Sequence, residues 1–256
     1  MSILCYHAVE DGWPSPMAVT PSAFAEQSEW LARRRTILPL SEVIGRLDRK
    51  GRPPRGVSVL TFDDGFVSLY DHALPLLRRH QLPATVFLVA QTLSLAGHPV
   101  DWVDTPPEHP LVTLTLDQVL EMQEAGIDFQ SHSWAHKDLT TMDAAAVLRD
   151  LTDSRELLED LLRRPVRHLA YPRGRHNTRV REAARKAGYS HAYALPEQRE
   201  DPGPFALPRV GVHHGNSLRT VRVKDEPSYL TLRTSSAFHA VSRLRNRPRR
   251  GHRVSL

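Results

Sequence analysis

The 256-residue chain is 40% hydrophobic, which suits one large domain with a real core, and its formal charge is +5. Six of its 34 basic residues (Arg243, Arg245, Arg247, Arg249, Arg250 and Arg253) crowd into positions 242–256, leaving 28 basic against 29 acidic residues elsewhere, so no nucleic-acid-binding face is expected of the body. Cys5 is the sole cysteine, which excludes an intrachain disulfide or a thiolate metal cluster, and nowhere do about 18 apolar residues run together as a membrane span requires.

The start MSILCYHAVEDGWPSP has neither a basic leader nor a long apolar run, which argues against a signal peptide and for a cytoplasmic protein. SILCYH reads as a short buried strand and GWPSP as a turn. TPSAFAEQSEWLARRR reads as a helix with Thr20 as N-cap and Pro21 at the first helical position, where a missing N–H costs nothing. SEVIGRLDR is a second short helix and KGRPPRG a turn. VSVLTF, apolar and β-branched, is an interior strand that runs straight into Asp63, Asp64 and Gly65. SLYDHALPLLRRH has helical spacing, with Pro75 starting the helix late or bending it. ATVFLVA is the next strand, and residues 97–112 form a lid or substrate loop. TLDQVLEMQEAG is a helix capped by Thr115 and stopped by Gly126, feeding the strand IDFQSH. The longest helix, DAAAVLRDLTDSRELLEDLLRR, precedes the strand VRHLAYP, the helix NTRVREAARKAG and the strand YSHAYAL. Strand alternating with helix implies a parallel α/β architecture over residues 1–241. Residues 242–256 read as a basic, disordered tail able to lie against acidic lipid headgroups at the membrane periphery.

Asp63, His132 and the YPRG segment each follow a predicted strand, and in parallel folds the carboxyl ends of the strands share one rim. Two carboxylates at the end of an apolar strand are costly to bury unless one binds a cation and the other receives a hydrogen bond or a proton. Adjacent strand residues point oppositely, so one carboxylate can face the pocket while the other approaches from its wall. SHSWAH sets His132 and His136 four positions apart, on one side of a helical turn or a compact loop. With Asp64 they offer two nitrogens and one oxygen, a set that suits Zn first and also Co, Ni or Mn, with positions left open. A divalent cation there would acidify water and polarise a carbonyl, and Asp63, off the cation, is then the natural general base. This chemistry is hydrolysis of an amide or ester.

TFDDG at 61–65 and SHSWAH at 131–136 resemble the first two motifs of the polysaccharide deacetylases, the family 4 carbohydrate esterases with a NodB-homology domain. LAYPRG at 169–174 resembles the third motif in the branch that reads Ala-Tyr-Pro-aromatic-Gly, and LCYH near the start also recurs there. The resemblance implies a distorted (β/α) barrel with fewer than eight regular strands and metal-dependent deacetylation of an N- or O-acetylated saccharide. By position it makes Asp63 the base and Asp64, His132 and His136 the metal triad. Tyr171 and Pro172 would shape the groove, and a backbone amide of YPRG would serve the oxyanion.

The departures from the pattern carry their own expectations. Arg173 stands where the family has an aromatic ring, which suggests a guanidinium contact with substrate. Ala170 occupies a place where other branches carry an arginine that braces the base, and Arg209 in LPRVGVHH is the candidate replacement. His213 and His214 are candidates for the acid that protonates the leaving group. His7 is expected to pack behind the metal ligands or touch substrate, and Trp134 to form a wall of the site. Trp102 and Trp13 fall in predicted loops, where exposed indole would suit a pyranose face. Two competing functions are hydrolysis of a non-sugar amide or cyclic imide, motivated by Arg173 and Arg209, and carbohydrate binding without turnover.

Overall fold

The computed structural model describes residues 1–51, 54, 56–94, 100–196 and 203–235; the basic tail at 242–256 lies outside the described residues. Its strands in chain order are β1 (Ser2–Tyr6), β2 (Ala8–Val9), β3 (Ala18–Val19), β4 (Thr36–Ile37), β5 (Val57–Phe62) and β6 (Ala84–Leu88). They continue with β7 (Asp128–Ser131), β8 (His168–Ala170), β9 (His191–Ala194), β10 (Leu207–Pro208) and β11 (Val210–Gly211). The main sheet runs β10-β9-β8-β7-β6-β5-β1-β11, every pairing parallel, with β4 added against β5.

The two ends of that order are neighbours in sequence, separated only by Arg209. Leu207 and Pro208 pair with Tyr193 and Ala194, whereas Val210 and Gly211 pair with Leu4 and Cys5. One short segment thus switches partners from β9 to β1, and the sheet is nearly but not fully closed into a barrel. Arg209 sits at the seam, its backbone N–H donating to the Ala194 carbonyl at 2.9 Å. All six residues of VSVLTF are buried, as a strand covered on both faces requires.

Ile3, Val59, Phe87, Ala170, Tyr193 and Leu207, one from each of six strands, pack together with Leu40, Val43 and Ile44 of the helix Leu40–Lys50. This cluster fills the barrel interior below the site. The larger core lies between the sheet and the helices around it, with Leu4, Leu60, Phe62, Val86 and Leu88 facing Phe24, Leu77, Val147 and Leu158.

The helices start where their caps specify. Thr20 accepts from the Ala23 amide ahead of Pro21–Arg34, and Thr115 with Gln118 forms a full capping box for Leu116–Glu124. Asn177 and Asp143 cap Thr178–Lys186 and Ala144–Leu162. Around Pro75 the chain first winds a π-helical turn at Leu69–Ala73, and only then the α-helix Leu74–His80, so the proline falls in an α-helical first turn where its missing N–H is harmless. No helix among the described residues is long and apolar enough to cross a membrane.

Candidate active site

The corner after β5 is built to separate its two carboxylates. The Asp63 amide extends the strand ladder, donating to the Tyr6 carbonyl at 2.9 Å. Asp64 then adopts a left-handed backbone, φ 69°, and Gly65 follows at φ 69°. A methyl group at Gly65 would lie 2.6 Å from a Leu88 methyl, so the turn needs glycine for space as well as for conformation.

Asp63 is gripped from below by Arg209, with Nη1 donating to Oδ1 and Nη2 to Oδ2, both at 2.7 Å. The Cys5 thiol donates to the same Oδ2 at 3.4 Å, and the guanidinium carbon lies 5.2 Å from the centre of the Phe87 ring. Burial alone would raise the Asp63 carboxyl, but the Arg209 charge overrides it and holds the group well below the usual carboxylate range. The same pairing keeps Arg209 protonated against a burial that favours its neutral form. The expected pairing of Arg209 with Asp63 is thus made at the seam of the barrel.

Asp64, His132 and His136 converge, their ligand atoms all within 4.8 Å of one another. His136 Nε2 lies 3.4 Å from Asp64 Oδ1 and His132 Nε2 lies 3.8 Å from it. His132 Nδ1 is 2.8 Å from the Ala170 carbonyl, so that nitrogen carries the hydrogen and Nε2 turns its lone pair toward the carboxylates. SHSWAH is a compact loop, with Ser133 and His136 at φ 70° and 53°. The Asp150 carboxylate accepts the Trp134 amide at 2.9 Å and the Ser133 hydroxyl accepts the His136 amide at 3.1 Å, which fixes the loop.

Burial lowers both imidazole pKa values, that of His136 to about 2 with His132 adding to the shift, so both rings are neutral. Burial, and next the neighbouring Asp63 charge, push the Asp64 carboxyl well up, and its Oδ2 has no hydrogen-bond partner among the described residues. Two neutral imidazoles facing a carboxylate that lacks a counter-charge fit a divalent cation. A second group, Cys5, His7 and Asp63, is equally close but fits poorly. Both Asp63 oxygens are taken by a guanidinium, and burial raises the Cys5 thiol far from its thiolate form.

The other expected site residues divide. His7 is half-buried beside Asp63, its pKa lowered to about 4 by burial, and it feels both Asp63 and His213. His213 is half-buried with Nδ1 3.2 Å from the Pro16 carbonyl, whereas His214 is exposed. The His213 ring lies over Gly211, where any Cβ would come within 2.6 Å of it. Pro172 is buried, and so is Tyr171, whose hydroxyl donates to the Phe205 carbonyl. Trp134 is partly buried against the core. The expectation of exposed indoles at Trp102 and Trp13 is corrected: they are 8% and 2% exposed. Trp13 donates to the Thr105 carbonyl at 2.7 Å and Trp102 to Asp64 Oδ1 at 3.0 Å, so the loop at 100–112 is drawn inward by its own polar contacts. The Arg173 guanidinium lies on Asp104 and on the Trp102 carbonyl.

A family model described as polysaccharide deacetylase matches residues 50–192. The chain belongs to the polysaccharide deacetylase family. It is 27% identical over 221 residues to YxkH of Bacillus subtilis, whose name places it among polysaccharide deacetylases, covering 85% of this chain and 73% of that one. It is 29% identical to the poly-beta-1,6-N-acetyl-D-glucosamine N-deacetylase of Staphylococcus epidermidis, covering 75% and 67% of the two chains. In fold it resembles the Streptococcus pyogenes deacetylase PplD, solved in complex with acetate, with a TM-score of 0.76, 24% identity and coverage of 89% and 98%. IcaB from Ammonifex degensii gives a TM-score of 0.69 at 23% identity, covering 86% and 94%. Family and Asp/His cluster together make this chain a metal-dependent deacetylase with a carbohydrate substrate.

Two residues bordering the cluster were missed in the sequence, and a third was given another task. Cys5 donates to Asp63 and Asp150 holds the histidine loop, whereas Trp102, expected as a sugar platform, donates to Asp64. Of these only Asp150 carried a signal: it falls among Val147, Leu151, Ser154 and Leu158 on the buried face of its helix, where an unpaired acid would be costly.

Proposed function

We propose that the chain hydrolyses the N-acetyl group of a β-linked N-acetylglucosamine saccharide, with Asp63 as general base and a zinc-class cation held by Asp64, His132 and His136. The observation that carries the reading is a buried carboxylate kept ionised by a bidentate guanidinium, directly beside two neutral imidazoles and a second carboxylate. A divalent cation in that set supplies a Lewis acid that polarises the acetyl carbonyl and makes water acidic enough to attack. Two nitrogens and one oxygen match an open catalytic zinc site, and Co, Ni or Mn are accommodated by the same donors.

Asp63 spends one lone pair of each oxygen on Arg209 and the second of Oδ2 on the Cys5 thiol, and the lone pair left on Oδ1 accepts the proton of the attacking water. Arg209 fixes the carboxylate plane and, by lowering its pKa, keeps it an anion while buried. In the YPRG turn the amides of Tyr171, Gly174 and Arg175 are spent on the carbonyls of Tyr193, Tyr171 and Pro172. That leaves the Arg173 N–H, on a left-handed residue with φ 56°, as the donor for the developing oxyanion. Cleavage of the C–N bond needs a proton at nitrogen. His213 is the better candidate to deliver it, because it reaches the rim that His7 and Asp63 share while His214 faces solvent. The amide choice over an ester is supported by the Staphylococcus epidermidis relative. The imide alternative loses its motive, since Arg173 and Arg209 are both engaged within the protein.

The test is acetate release by metal-loaded protein from β-1,6- and β-1,4-linked N-acetylglucosamine oligomers, from O-acetylated glycans and from cyclic imides. Acetate from the N-acetylated oligomers is the expected result. Opening of imides without acetate from any glycan would overturn the reading.

A further inference from the structure

The loop at 100–112 is strapped across the mouth of the barrel at several points. Trp13 Nε1 donates to the Thr105 carbonyl at 2.7 Å and His109 Nε2 lies 2.8 Å from Glu10 Oε1, which ties the loop to the segment after β1. On the opposite side, Arg173 Nη2 donates to the Trp102 carbonyl at 3.2 Å, and its Nη1 and Nη2 each reach an Asp104 oxygen at 3.3 Å. The indole held between these ties donates to Asp64 Oδ1 at 3.0 Å, and its ring lies 5.3 Å from that of His136 at an interplanar angle of 31°.

Asp64 Oδ1 is the oxygen that faces both imidazoles. A donor on that atom decides which of its lone pairs is left for a cation, and it stabilises the ionised carboxylate that burial opposes. An indole N–H is a single directed donor, so its value depends on where its backbone is held. We propose that Trp102 is the positioning residue of the metal carboxylate, and that Arg173 is the strap that holds Trp102 in place. An aromatic side chain at position 173 could not hold a carbonyl and a carboxylate at once. The guanidinium at this position therefore goes with Asp104, and its task lies in the loop, not in the substrate. The Arg173–Asp104 pair has side chains 37% and 80% exposed, so it contributes little to global stability, and its effect is felt through the indole it places.

The inference rests on the metal site proposed above, and the experiment separates the two. The full chain, stripped of metal, is titrated with Co(II) against a competing chelator, following the visible cobalt absorption and the quenching of tryptophan fluorescence. The variants are Trp102→Phe, which keeps a ring beside His136 and removes the N–H, together with Arg173→Gln and Asp104→Asn, with circular dichroism confirming their fold. Loss of such an outer hydrogen bond typically costs 10- to 100-fold in metal affinity, so Trp102→Phe is expected to weaken Co(II) binding about tenfold and to change the cobalt spectrum. Arg173→Gln and Asp104→Asn are expected to weaken it by less, and their double variant by no more than either alone, because both cut the same strap. Should Trp102→Phe misfold, the two strap variants still read the effect. Affinity and spectrum unchanged in all folded variants overturn this inference alone, whereas failure of the wild-type chain to bind Co(II) overturns the metal site with it.

Discussion

Asp63 and Arg209 are each 1% exposed, and each is tolerable only because of the other. Asp63→Asn keeps the shape and removes the proposed base; acetate release is expected to fall to background while Zn content, measured by atomic absorption, stays at the wild-type level. His132→Ala is expected to lose both. Arg209→Met removes the largest of the influences that oppose burial at Asp63. The folded-state pKa of Asp63 is depressed, so its stabilising contribution is present above the unfolded value and is lost as pH falls through the folded one. Without Arg209 that pKa rises, and the acid limb of the kcat/KM profile is expected to move to higher pH, read from initial rates across pH 4–8. The convergence of Asp63, Asp64, His132 and His136 was legible because strand ends in a parallel fold meet at one rim, whatever their separation in sequence. Arg209 was legible because a buried carboxylate demands a cation. The contacts of Cys5 and Trp102 were not: whether a thiol or an indole meets a particular oxygen depends on side-chain direction, which spacing leaves open.

At the scale of elements, capped helices and fully apolar strands were readable, and two-residue strands such as β2 and β10 were not, being too short to show a period. The unread contact with most bearing on the site is the one that joins the helix Ala144–Leu162 to the histidine loop at Asp150. Burial raises the Asp150 pKa to about 6. A carboxyl whose folded pKa is raised contributes its stability below the unfolded value near 4, and that stability is lost as pH climbs through the folded one. Asp150→Asn retains an acceptor for the Trp134 amide and carries no charge. Its stability relative to the wild type is therefore expected to rise between pH 4 and pH 6, by about 3 kcal/mol at about 1.4 kcal/mol per pH unit. Urea unfolding of both proteins at several pH values checks this, and a constant difference across the range would contradict it.

For the molecule as a whole, alternation of strands and helices announced a parallel sheet but not its closure, because closure follows from register and not from periodicity. The switch of one segment from β9 to β1 across Arg209 joins the two edges and places the base's partner at the seam. The Asp63–Arg209 pair therefore depends on the near-closure of the barrel, and the metal set lies beside it. A ligand that binds only the folded state adds about 2.7 kcal/mol at a concentration 100 times its Kd. Excess Zn is expected to raise the Tm of the chelator-stripped wild type and to leave that of His132→Ala unmoved, in a calorimetric scan.

The most direct measurement is anomalous diffraction from crystals soaked with Zn or Co. The expected result is one strong peak about 2.0–2.2 Å from a carboxylate oxygen of Asp64 and from Nε2 of both His132 and His136, with Asp63 off the ion and still paired with Arg209. A peak among Cys5, His7 and Asp63 instead, or an ion that draws Asp63 away from Arg209, would contradict the account.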